Sequence, residues 1–226
     1  ASAGNDPGTN DQLAGDDSDN LLSGLGGNDT IDGNAGNDIL VGGIGDDTLN
    51  GGDGEDLLLG GEGNDTINGG AGDDEIKADV GDDVINGGAG RNTINAGDGN
   101  NTITVEGSSD RVNAGAGDDT VTITSGHNSM LYLGDGDNTI TSDVSFRIFE
   151  TGAGNDTVTI NQNVSNGVDL GADNDTIVVE GRVGDVRGND TSKDKWIFAG
   201  EGDDTITLKG GLQRQSDSEG RYTSHS

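Results

Sequence analysis

The chain has 226 residues, a formal net charge of −32 from 43 acidic and 11 basic side chains, 44 glycines, and only 28% hydrophobic and 3% aromatic residues. So acidic a chain has no basic stripe to meet phosphates, which excludes nucleic acid and an anionic membrane as partners and leaves cations. No cysteine is present, so disulfides and thiolate zinc sites are out, and no apolar run is long enough to predict membrane insertion.

Low hydrophobicity with high net charge is the composition of a disordered chain, but the order of the residues contradicts that reading. From Asp6 to Thr122 the sequence repeats without a gap as thirteen units of nine, G-G-x-G-x-D-x-U-x, with U a large aliphatic. The eighth position runs Leu13, Leu22, Ile31, Leu40, Leu49, Leu58, Ile67, Ile76, Ile85, Ile94, Ile103, Val112, Val121. One inward aliphatic per unit predicts a very short x-U-x strand, and the six Gly-rich residues between strands predict a turn. Two strands and two turns then close a flattened coil of about 18–19 residues, with successive coils about 4.8 Å apart. The pattern is already in phase at Asp6 and no secretory signal precedes it, which is expected of a piece of a larger protein or of export by a route needing no N-terminal signal.

Alternate units fall on the same edge of such a coil. On the first edge the sixth position reads Asp11, Asp29, Asp47, Asp65, Asp83, Asn101, Asp119, Asn138, Asp156, Asp175, Asp204, always in a nine-residue unit. On the second it reads Asn20, Asp38, Asp56, Asp74, Asn92, Asp110, Asn128 and then Arg147, and the unit lengths become irregular at 123–132, 160–169 and 179–198. Insertions fall where the Gly/Asp pattern has decayed, as expected if a ligand holds the turns along one edge throughout and along the other only in the first half. Later strands add a second inward aliphatic at Val105, Ile123, Ile160, Val179 and Leu208, so apolar packing takes over where the acidic turns thin out. A carboxylate beside bare glycine carbonyls suits a hard cation, and calcium accepts six to eight such oxygens in flexible geometry. Magnesium's strict octahedron suits the turn less well, and the only histidines, His127 and His225, leave little for a transition metal.

The units GGIGDDTLN (42–50), GGDGEDLLL (51–59), GGEGNDTIN (60–68) and GGAGDDEIK (69–77) resemble the hemolysin-type calcium-binding repeats of the RTX family. The resemblance implies an all-β, right-handed parallel β-roll (a β-solenoid) with calcium between turns. It further implies a secreted, extracellular protein of the Gram-negative type I export route that folds on meeting calcium. Carried over by position, the metal ligands are Asp29, Asp47, Asp65, Asp83, Asp119, Asp156 and Asp175 on one edge and Asp38, Asp56 and Asp74 on the other, with Asn101 and Asn138 offering an amide oxygen. Roughly a dozen calcium ions are expected in all. The chain divides into a two-edged calcium roll over 1–122, a continuation over 123–212 with calcium turns on one edge, and a polar, disordered tail over 213–226.

No nucleophile–His–acid set is present, so a non-catalytic module is expected, of the kind appended to an enzyme. Other functions compete with a secretion, folding and spacer role. Outward pairs Thr102/Thr104, Thr120/Thr122, Thr139/Thr141, Thr157/Thr159 and Thr205/Thr207 read either as β-propensity or as a regular face for ice or a polysaccharide. Residues 182–198, with Arg182, Arg187, Lys193, Lys195 and the only tryptophan, read as a loop covering the core or as a site for an alginate-like polymer. An adhesin or surface-layer segment, with a cell surface as its partner, is the remaining alternative.

Overall fold

A computed structural model describes residues 8–144, 148–164, 167–181 and 197–210. The cationic loop over 182–196, Arg147 and the tail from 211 lie outside the described residues. Those described form twenty-one strands, from Gln12–Ala14 to Thr205–Leu208, and no helix. Successive strands alternate between two sheets, so every odd strand joins an eleven-stranded sheet and every even strand a ten-stranded one, with all neighbours parallel. First-edge turns lead into the larger sheet and second-edge turns into the smaller. Each coil lies on the one before at a register of 18 residues, as in Thr48↔Thr66 and Ile39↔Leu57. The offset becomes 19 at Arg111↔Met130 and Thr120↔Thr139, and 29 at Thr176↔Thr205, where the additional residues fall in the second-edge segment.

The eighth-position aliphatics meet between the sheets, and all thirteen are buried, at 0–8% exposure. The first position of each unit also faces inward. In the early coils it is glycine, apart from Ala78, so each of those strands buries one large aliphatic. From Ala96 onward it carries Val105, Ala114, Ile123, Leu133, Ile160, Leu170 and Val179, so the later coils have two buried layers.

Two details depart from the sequence reading. From Leu21–Gly26 to Glu75–Val80 the strands are six residues long, because the chain stays extended through the first three residues of the next unit. Pairing skips the first position, as in Ser23↔Val41 followed by Leu25↔Gly43, and resumes at the second, the residue with positive φ. Between these strands the tight turn is three residues, whereas from Val84–Asn86 onward the strands shorten and the connecting segments are five residues or more. The second departure is Asn128. It carries a positive φ of 63°, and Ser129 holds the sixth position instead, because the additional residue of that unit sits in the turn ahead of it.

Candidate metal centre

The glycines at the second and fourth positions of the unit build the turn. Gly43 and Gly45 take φ of 121° and 129°, Gly61 and Gly63 of 124° and 128°. Such values are accessible to glycine and strained for other residues. Turns also stack closely enough that a Cβ on Gly61 or Gly63 would come within 3 Å of the carbonyl oxygen of Gly43 or Gly45, one coil earlier. Leu25, Asn34 and Asp79, which replace the second-position glycine, keep a positive φ of 74–78°.

This stacking delivers the sixth-position side chain to the coil before. Oδ1 of Asp47 accepts the Asp29 N–H at 2.7 Å, Asp65 accepts from Asp47 at 2.8 Å, and Asp83 from Asp65 at 2.7 Å. On the first edge the ladder is unbroken from Asp11 to Asp204, with every bond between 2.7 and 3.0 Å. On the second it runs from Asn20 to Asp110 and ends where Ser129 Oγ reaches Asp110 Oδ2 at 3.5 Å.

The other carboxylate oxygen has no such partner. Oδ2 of Asp11, Asp29, Asp38, Asp47, Asp56, Asp65, Asp74, Asp83, Asp119, Asp156 and Asp175 is buried without a hydrogen bond. It faces other oxygens. A Cβ on Gly42 would stand within 3 Å of both Asp47 Oδ2 and the carbonyl oxygen of Gly60, one coil on. The same cradle recurs at Gly24 with Asp29, Gly33 with Asp38, Gly51 with Asp56, Gly60 with Asp65 and Gly69 with Asp74. At Asp83, Asp119, Asp156 and Asp175 the inward residue is Ala78, Ala114, Thr151 or Leu170, so a side chain occupies that corner.

Buried anionic oxygen beside carbonyl oxygen is unfavourable unless a positive charge lies between them. The protonation equilibria register that cost. Loss of water pushes Asp65 up to about 7, with Asp83 and Asp47 adding repulsion against the relief from the N–H bond. Burial likewise lifts Asp74, Asp119 and Asp175 to about 6, and raises Asp47, Asp56, Asp83, Asp110 and Asp156. Among the described residues no three His, Cys, Asp or Glu side chains converge, so a cation at these turns would take carboxylate and backbone carbonyl oxygens together. That donor set fits calcium and offers nothing to a thiophilic or imidazole-seeking metal.

Asn101 and Asn138 stand in the same column with their Oδ1 already engaged, accepting Asp83 N–H and Asp119 N–H at 3.0 Å each. A second ladder went unread in the sequence. At the fifth position, Asn or Asp side chains from Asn10 to Asn174 accept the N–H of the next coil at 2.6–3.2 Å along the first edge, the last donor being Asp203. Its signal is plain once sought: on that edge the fifth residue is always Asn or Asp. On the second edge Glu55 and Arg91 interrupt the series, Arg91 binding Asp73 through both its N–H at 2.8 Å and its guanidinium at 2.9 Å.

A family model, the RTX calcium-binding nonapeptide repeat (4 copies), matches residues 8–40, 32–67, 59–94, 86–121 and 196–211, more than half of the chain. No curated protein matches it. With parallel strands in stacked coils, and acidic turns at the repeat's own spacing, the chain belongs to the RTX calcium-binding repeat family and is a calcium-binding β-roll module.

Proposed function

We propose that this module folds as its turns take up calcium outside the cell, and serves as the folding, export and spacing segment of a larger exported protein. The observation that carries the reading is the column of buried Oδ2 atoms with no hydrogen-bond partner. Bound calcium supplies the charge that such oxygens lack, and it offsets part of the −32 of the chain. The proposed ligands are Asp29, Asp38, Asp47, Asp56, Asp65 and Asp74, where glycine leaves the cradle open, with Asp83, Asp119, Asp156 and Asp175 continuing the column on the first edge. On this reading the 1–122 part of the roll holds calcium on both edges, on the second as far as Asp74, and the part from 123 on one.

Far-UV circular dichroism tests it. The β signal is expected to collapse in excess chelator and return with calcium, at a midpoint of about 0.1–1 mM, as suits an extracellular module. An unchanged spectrum in chelator would overturn calcium-coupled folding, and a midpoint below about 1 μM would place the module inside a cell.

A second reading concerns the outer face of the eleven-stranded sheet, where Thr102, Thr120, Thr139, Thr157, Thr176 and Thr205 align in one register row. A regular hydroxyl row suits a polysaccharide. Retardation on polysaccharide-impregnated gels, lost in Thr120→Leu/Thr139→Leu, would support it, and equal mobility of the two proteins with and without polymer would end it.

A further inference from the structure

The turns with asparagine at the sixth position differ from their neighbours in the arm that faces the carbonyls. Asn101 is 1% exposed and, with Oδ1 committed to Asp83 N–H, turns its Nδ2 to Gly99 O at 3.1 Å and Ala114 O at 3.3 Å. Asn138 repeats this, donating to Gly136 O at 3.0 Å and to Gly134 O and Thr151 O at 3.4 Å each. Asn92 accepts Asp74 N–H at 2.9 Å and donates to Gly88 O at 3.2 Å. Each amide is fixed at both ends, because a backbone N–H only donates and a carbonyl only accepts. Asn101 and Asn138 thus agree in reaching the carbonyl thirteen residues on, and Asn92, on the other edge, likewise commits Oδ1 to the preceding coil and Nδ2 to a turn carbonyl.

The carbonyls reached by these amides map the surroundings of the aspartate turns. Asn101 Nδ2 meets the carbonyl thirteen residues on, Ala114, and Asp47 Oδ2 shares its cradle with the carbonyl thirteen residues on, Gly60. The amide hydrogens thus stand where an aspartate turn needs a cation. They satisfy the carbonyls without one and carry no charge that needs neutralising.

We propose that Asn92, Asn101 and Asn138 are cation-free turns, in which the side-chain –NH2 replaces the ion and interrupts the calcium column. The inference rests on the calcium reading above and refines it. Position alone would count Asn101 and Asn138 as ligands through an amide oxygen, whereas here that oxygen is spent on the preceding coil. The first-edge column then falls into separate runs, Asp29 to Asp83, Asp119 alone, and Asp156 onward, joined by turns that hold their shape in chelator.

Equilibrium dialysis against radioactive calcium at saturation, on the full chain, counts the sites. Asn101→Ala should bind as many ions as the wild type, and Asn101→Asp and Asn138→Asp one more each. A lower count in Asn101→Ala would make the asparagine a ligand, and no gain in the aspartate variants would deny that the amide stands in an ion's place; either result overturns the proposal. Should Asn101→Ala fail to fold even in calcium, the two aspartate variants decide. A wild type that binds no calcium would sink the underlying calcium reading instead, before any variant is compared.

Discussion

A methyl group on Gly63 would stand within 3 Å of the Gly45 carbonyl oxygen, on a backbone held at φ of 128°. Gly63→Ala is therefore expected to cost about 2 kcal/mol or more, read as a lower melting temperature at saturating calcium. The acidic positions are unequal in a way their letters conceal. Asp65→Ala and Asp110→Ala each orphan a buried N–H, of Asp47 or of Asn92, at about 1–3 kcal/mol. Only Asp65 has an unpartnered Oδ2, since Ser129 meets that of Asp110. At calcium about 100 times the site's Kd, the lost ion adds about 2.7 kcal/mol for Asp65 alone. Calcium titrations of both variants should place the Asp65→Ala midpoint above that of Asp110→Ala, and equal midpoints would contradict the difference in site occupancy. The sixth-position column was legible because glycine and aspartate recur at fixed spacing. The fate of each carboxylate oxygen was not, because it depends on which atom of the adjoining coil arrives opposite it.

Strand by strand, periodicity carried the expected architecture: the buried aliphatics, the edge alternation and the places of the insertions can all be read from nine-residue units. Strand length could not. Leu21–Gly26 and its successors run on through glycines because the sheet pairs backbones, and a backbone pairs whether or not it bears a side chain. Ser129 was equally hidden, since one added residue in the turn shifts the column by one and only the pairing Arg111↔Met130 fixes where it resumes. The fifth-position ladder makes a prediction at this scale. Asn64 accepts the Asp82 N–H at 2.8 Å in an exposed setting, so Asn64→Ala should cost no more than about 1 kcal/mol. It should nonetheless speed hydrogen exchange at the Asp82 amide while leaving the Asp83 amide, bound to Asn101, protected. Equal exchange at Asp82 in wild type and variant would remove the ladder from the account.

For the molecule as a whole, the acidic turns set a pH dependence whose sign reverses with the ion. Asp65 at about 7, and Asp74, Asp119 and Asp175 at about 6, hold protons more tightly in the folded chain than an unfolded Asp at about 3.9 does. Without calcium the penalty on the fold is absent below about pH 4, grows as pH rises through 4 to 7, and is complete above that. Acidification of the calcium-free chain from pH 8 to 5 should therefore raise its β content, followed by circular dichroism. With calcium, protons compete for the same oxygens, so the calcium midpoint should rise over the same range. A calcium-free chain indifferent to pH would show that the turns are not the seat of its instability.

The two ladders of the first edge point in opposite directions, the sixth position accepting from the coil before and the fifth from the coil after. An interior coil is consequently tied on both sides by its first-edge turn, whereas a coil at the end of such a stack has a neighbour on one side only. Opening the stack in its middle exposes two faces at once, and opening it at an end exposes one. Such a stack behaves as a one-dimensional cooperative array that frays inward from its tips, with the longest-lived structure at its centre.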